Sequence, residues 1–267
     1  MVTELFMHEI TMMQGIGLAI MALIVGIDFW LEALYIFRPL IVCTLTGAIL
    51  GDIQTGLITG ALTELAFTGL TPIGGTQPPN PVLAGIMTTV IAHSTGVDAK
   101  TAIGLGLPFS FLMQYIILFY YSAFSFFMQK ADRYAEEADG AALGRLNLLL
   151  TAIVAVTYAA VTFLCAYVSQ GAMQSLVRSM PVWLTHGFEV AGGILPAVGF
   201  GLLLKVMMKT PFTPFFIIGF LFVTFIPVQN LLPVALMGTA FAIYEYYNQQ
   251  KKAAHAAAAP EEMNDGI

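Results

Sequence analysis

Apolar residues in this chain come in unbroken runs rather than at alternating or amphipathic intervals. The runs are 10–27, 40–50, 57–70, 82–95, 101–128, 146–169, 190–204, 212–227 and 231–247. A helix crossing a bilayer needs ~20 apolar residues. The runs at 101–128 and 146–169 satisfy that length, and 10–27 nearly does. Those at 40–50, 57–70 and 82–95 are too short for comfortable spans. The pattern predicts an all-α polytopic integral membrane protein whose transmembrane helices are accompanied by discontinuous or re-entrant segments.

Breaks between the runs have their own chemistry. Arg38-Pro39 opens a helix, with Pro in the first turn where its missing N–H does no harm. Gly47 and Gly51, and again Gly56 and Gly60, have the GxxxG spacing that lets helices approach closely. The stretch PIGGTQPPNP, residues 72–81, breaks the chain with Pro, Gly and uncharged polar groups. Pro196, within a Gly-rich run, predicts a kink. Residues 129–145 form one strongly charged internal loop with room for a short helix. The expected division is a membrane part at 1–128 with its binding core at 52–81, a cytoplasmic loop at 129–145, a second membrane part at 146–247 and a disordered tail at 248–267.

Lys and Arg set the orientation. Lys130, Arg133 and Arg145 share one loop, Lys205 and Lys209 another, and Lys251 and Lys252 open the tail. With crossings at 146–169, 190–204, 212–227 and 231–247, all three basic stretches fall on one side. The positive-inside rule makes that side, and the C-terminus, cytoplasmic.

Composition sharpens this picture. Of 267 residues 58% are hydrophobic and 10% charged, against about 25% charged in soluble domains. The net charge of −6 carries little information about partners, since several acids sit in the tail and in one loop. No basic stretch is dense enough for nucleic acid. Cys43 and Cys165 lie in apolar runs and read as packing thiols, with no disulfide or metal spacing. The leading MVTELFMHEI carries acids rather than a basic region, so no cleavable signal peptide is expected.

Within the runs, Glu64 stands out. A carboxylate in a lipid-compatible helix is costly and by default marks a site. It can accept two charge-assisted hydrogen bonds from the hydroxyls of a small polar solute. Its competing role is pairing with Arg38 or a backbone N–H. Gln77 and Asn80, in the Pro/Gly break, offer donors and acceptors for hydroxyls, or alternatively cap the broken helix ends. Thr71 and Thr76 add hydroxyls to the same stretch, and Asp28 is a neighbouring candidate with an interfacial alternative. His93, His186 and Glu189 are weaker candidates, more readily placed near a surface. No nucleophile–base constellation, metal motif or phosphate-binding loop is present, so no catalytic residue, metal or cofactor is expected. Energy must then come from an ion gradient or another polypeptide.

Three stretches carry a resemblance: FRPLIVCTLTGAILGDIQTGLITGALTELAFTGLTPIGGTQPPNP, HGFEVAGGILPAVGFGLLL and NLLPVALMGTAFAIYEY. Together they resemble the IIC subunit of the mannose/sorbose family of bacterial phosphotransferase system (PTS) permeases, over roughly residues 8–250. Within that family the likeness is greatest to the N-acetylgalactosamine type. The resemblance implies a multi-pass protein of the bacterial inner membrane that moves a hexose or N-acetylhexosamine. It implies a membrane partner IID, cytoplasmic IIB and IIA proteins, and homo-oligomers of IIC–IID units. Phosphate would reach sugar C6 from a IIB histidine and ultimately from phosphoenolpyruvate, so IIC is no enzyme on its own. It places Glu64 at the family's membrane carboxylate, and Asn80 where mannose-type relatives carry Asp. Two rival readings stand: an ion-coupled secondary transporter with Glu64 as the ion carboxylate, and a membrane scaffold without transport activity.

Overall fold

The structure, a computed structural model, describes residues 8–70, 77–226 and 232–258, the last seven by backbone only. The described elements are helical. They are α1 (Met12–Leu31), α2 (Pro39–Leu50), α3 (Ile53–Phe67), α4 (Pro81–Thr95), α5 (Ala99–Ala123), α6 (Ser125–Glu136), α7 (Gly140–Phe163), α8 (Gln170–Ser179), α9 (Val182–Met207), α10 (Thr213–Phe225) and α11 (Leu232–Ala258). A π-helical turn, Leu164–Val168, prolongs α7. Among the described residues four stretches are long and apolar enough to cross a membrane: Met12–Leu31, Ala99–Ala123, Gly140–Val168 and Val182–Met207.

Caps explain where these helices start and stop. Thr11 and Gln14 form a capping box at the start of α1. Asp52, Asn80, Asp98 and Asp139 each accept a backbone N–H at the starts of α3, α4, α5 and α7. Gly51 and Gly96 end α2 and α4 in the left-handed region, at φ 83° and 70°. Threonines inside the apolar helices return their hydroxyls to the carbonyl four residues back, as at Thr46, Thr63 and Thr95. Each is thereby satisfied without a neighbour or water.

The short helices α2, α3 and α4 pack antiparallel in series. Gly47 and Gly56 meet backbone to backbone, so a Cβ on Gly56 would sit 2.5 Å from the Cys43 carbonyl oxygen and 3.0 Å from Gly47 Cα. Gly60 abuts Cys43 and Leu40. The predicted close approach is therefore present, with Gly47 pairing across to Gly56. Gly51 takes no part: nothing lies within 4 Å of a Cβ there. Thr59 on α3 bonds Thr89 on α4 at 2.8 Å, and His93 at the end of α4 meets Asp52 at the start of α3.

This register makes α3 and α4 a re-entrant pair. Asn80 N–H donates to the Ser110 carbonyl (3.1 Å), about 16 Å into α5 from Ala99 at 1.5 Å per residue. Its side chain reaches Tyr158, about 15 Å from the Val168 end of α7. Both depths fall near the middle of a ~30 Å hydrocarbon core. So α4 begins halfway through the membrane and returns to the end from which α3 entered. Nearly all of α4 is buried, including Val82, Leu83, Ile86, Met87, Val90 and Ile91. An apolar surface on every side suits a helix enclosed by others.

Around this hairpin, α1 runs antiparallel to α7, with Gly15 against Tyr167 and Gly26 against Tyr158. The charged stretch 129–145 forms most of α6, a turn, and the start of α7. Pro196 lies inside α9. From Met207 onward the chain forms a second unit, in which Phe215 on α10 meets Phe241 on α11 with the rings tilted and their centres 5.8 Å apart. Helix α11 continues to Ala258, into the stretch expected to be disordered.

Candidate functional site

Helix α2 starts at Pro39, which puts its N-cap, Arg38, beside the last turns of α3. Arg38 Nε donates to Glu64 Oε1 at 2.8 Å, and Nη2 donates to the same oxygen. Leu40 N–H donates to Oε2 at 3.2 Å. Glu64 is thus held by a guanidinium and by an orphan amide of a helix N-terminus, which also favours an anion. Both partners weighed for Glu64, Arg38 and a backbone N–H, are present together. The pair is not sealed: the Arg38 and Glu64 side chains are 33% and 24% exposed.

Asp28 supports this arrangement from below. It is buried, and its two oxygens accept Leu34 N–H (2.6 Å) and Phe37 N–H (3.3 Å). It ties the turn between α1 and α2 down and so fixes the backbone that delivers Arg38.

Asn80 is fully buried. Its Oδ1 accepts Leu83 N–H (3.0 Å), capping α4, and its Nδ2 donates to the Tyr158 hydroxyl (2.6 Å). Gln77 accepts a hydrogen bond from Tyr121 on its Oε1 (3.1 Å), while its carbonyl takes the Gln114 amide. Thr71 and Thr76 lie outside the described residues.

The four described candidates gather around the last turns of α1. Phe29 contacts both Phe37, next to Arg38, and Tyr158, which holds Asn80. Trp30 contacts Tyr121, which holds Gln77. Tyr158, Tyr121 and Gln114 escaped sequence reasoning because each sits in a long apolar run. Their only local signal was a hydrogen-bonding tip on a residue meant to be surrounded by lipid or protein.

A second polar cluster lies at the other end of the hairpin. His8, Asp52, Thr55, His93 and Asp98 help to line an open pocket of about 370 Å³. His93 stacks on His8, with ring centres 5.0 Å apart, and faces Asp52 Oδ2 at 3.4 Å. The Asp52 carboxyl is held below its usual range, chiefly by its hydrogen bond from the Thr55 side chain, with His93 adding to the effect. His186 and Glu189 pair with each other at an exposed position on α9. Among the described residues no group of three or more His, Cys, Asp or Glu is arranged to hold a metal ion.

A helical membrane protein with a re-entrant helix pair, broken at mid-depth beside a partly exposed carboxylate, has the build of a solute-translocating permease. The chain belongs to the family described as the PTS system sorbose-specific IIC component, which matches residues 12–244. It is 70% identical to N-acetylgalactosamine permease IIC component 1 of Escherichia coli strain K12, over 92% of each chain. It is 30% identical to the sorbose-specific EIIC component of Klebsiella pneumoniae and 28% identical to the mannose-specific EIIC component of E. coli K12, over 94% of each chain in both cases. A solved membrane protein superimposes with a TM-score of 0.82 at 28% identity, over 90% of this chain and 97% of its own. A structure of the mannose transporter ManYZ with microcin E492 gives 0.58 at the same identity and coverage. The protein is the IIC component of a PTS sugar permease, a translocation subunit of the membrane.

Proposed function

We propose that this IIC component carries an N-acetylhexosamine, N-acetylgalactosamine foremost, and that Glu64 is its principal contact. The observation behind this reading is a carboxylate presented at mid-depth beside the tip of a re-entrant helix pair, about one quarter exposed and already oriented by Arg38 and Leu40 N–H. The 70% identity to an N-acetylgalactosamine permease component supports the choice of sugar.

In this mechanism Glu64 Oε2 accepts a sugar hydroxyl, and Gln77, with Thr71 and Thr76 in the same stretch, supplies further polar contacts. Asp28 holds the turn that carries Arg38. Asn80 has no exposed surface, so it meets sugar only when the α3–α4 pair shifts against α7 and the Tyr158 bond breaks. Sugar arriving at the cytoplasmic face is phosphorylated there by IIB: the C6 hydroxyl oxygen attacks the phosphorus, the IIB histidine leaves, and the hydroxyl proton is released. The doubly charged product no longer fits beside Glu64 and departs. IIA recharges IIB from phosphoenolpyruvate, and IID completes the membrane unit, consistent with the likeness to ManYZ. The charged stretch 129–145 and the C-terminus face the cytoplasm, where Lys and Arg accumulate.

The test supplies this chain with IID, IIB and IIA to a bacterial inner membrane lacking other amino-sugar permeases, and follows labelled N-acetylgalactosamine. Label recovered as the 6-phosphate, dependent on IIB and indifferent to a proton uncoupler, supports the reading. Free sugar accumulating inside and lost with the uncoupler contradicts it and makes Glu64 an ion site.

A further inference from the structure

Arg38 does more at this site than neutralise a buried acid. A guanidinium has five N–H donors, and Glu64 Oε1 takes two of them, one from Nε and one from Nη2. Three remain, on a side chain one-third exposed. Among the described residues Glu64 Oε2 accepts only the Leu40 amide, so one of its lone pairs has no described donor. The exposed edge of the pair is therefore an acceptor beside a donor, with the two formal charges cancelling. The other nearby acid of the α1–α2 turn, Asp28, is buried with both oxygens on backbone amides, so its carboxylate is not presented to a ligand. Glu32, at the left-handed end of α1, acts electrostatically on Tyr121.

We propose that Arg38 is the residue that makes this site select a neutral N-acetylated amino sugar over the protonated free amine. The inference rests on Glu64 being the sugar contact. An uncompensated carboxylate would attract a sugar ammonium strongly in the weakly screened interior. Paired with Arg38, Glu64 offers an ammonium no net attraction, while the ammonium still loses its hydration and meets the guanidinium. A neutral acetamido sugar loses little and finds both a donor and an acceptor for adjacent hydroxyl oxygens.

The first arm of the test uses the wild-type chain with its IID, IIB and IIA partners in membrane vesicles. Unlabelled galactosamine competes against labelled N-acetylgalactosamine across about pH 6–9, which brackets the ~7.7–8.0 of a peptide α-amino group. Galactosamine should compete better as pH rises and its amine loses charge, while unlabelled N-acetylgalactosamine competes equally throughout. Galactosamine weakening as pH rises would overturn the proposal.

The second arm compares Arg38→Lys and Arg38→Gln by displacement of bound sugar from the IIC–IID complex. Lys keeps the charge and should keep the wild-type preference with weaker binding of both sugars. Gln leaves Glu64 uncompensated and should shift the preference toward protonated galactosamine by about tenfold or more. Equal losses for both sugars in the Gln variant would show a merely structural role and defeat the proposal. If the Gln variant does not assemble, the wild-type pH arm decides alone. Failure of the wild type to handle N-acetylgalactosamine at all would instead defeat the functional reading on which this inference rests.

Discussion

Replacing Tyr158 with Phe removes one oxygen and leaves the ring in place. The ring is needed where it is: it fills the space over Gly26, whose Cβ would sit 2.7–2.9 Å from it, and it packs on Phe29. The loss falls on Asn80 Nδ2, which donates to that oxygen at 2.6 Å from a residue with no exposed surface. A buried donor deprived of its partner costs about 1–3 kcal/mol. Water cannot easily replace the hydroxyl, because Val82, Leu83 and Ile86 nearby on α4 are fully buried. Asn80→Ala loses the same bond and also the cap on Leu83 N–H, about 0.5–2 kcal/mol more. The double variant should then be less damaged than the sum of the singles, with a coupling of about 1 kcal/mol or more. The assay is denaturant titration of the four proteins in mixed micelles, read by helix content. A coupling under about 0.3 kcal/mol would mean that the two residues act independently, and the mid-depth anchor of α4 would have to be assigned elsewhere.

The glycines of the α2–α3 pair should divide sharply. Gly56→Ala forces a methyl against the Cys43 carbonyl oxygen and should cost about 1–3 kcal/mol and much of the sugar uptake, since it displaces the helices that align Arg38 with Glu64. Gly51→Ala meets no atom and pays only for its φ of 83°, about 1 kcal/mol, with uptake retained; thermal unfolding and uptake of the two variants check both. Asp52, whose carboxyl titrates below its ordinary value of 3.8, contributes stability that is complete above that value and lost as pH falls through the lowered one. Asp52→Asn should therefore flatten the acid limb of a melting-temperature profile taken from about pH 6 to about pH 3.

Much of this architecture was readable because membrane physics writes it into run lengths. Runs of 11 to 14 residues cannot span, and the helices α2, α3 and α4 indeed end at mid-depth or return. Pro39 marked a helix start correctly, with its N-cap just before it; Pro81, read as part of the break, opens α4 in the same way. What escaped was whatever depended on pairing between segments. GxxxG spacing groups Gly47 with Gly51 along one helix, yet the working contact is Gly47 with Gly56 across two, while Gly51 is a cap. His93 read as a residue near a surface; only the antiparallel register of α3 and α4 brings it to Asp52 and His8. Glu64 is the exception: it was singled out by the cost of its charge in lipid, Arg38, 26 residues away in sequence, was weighed as its partner, and the pair is present together with the Leu40 amide. Asn80 shows the converse: the capping role weighed for it is present, and the Tyr158 bond, which sets its depth, had no local signal.

The central claim is that Glu64 holds the sugar, and equilibrium binding tests it without the complications of turnover. Labelled N-acetylgalactosamine would be titrated into purified IIC–IID complexes carrying either Glu64 or Glu64→Gln, with recovery of IID alongside as the check on assembly. Losing a charge-assisted hydrogen bond of ~1.5–3 kcal/mol should weaken binding by about tenfold or more while IID still co-purifies. Binding by the Gln variant as tight as by the parent would contradict the account and leave the Arg38–Glu64 pair as a helix clasp only.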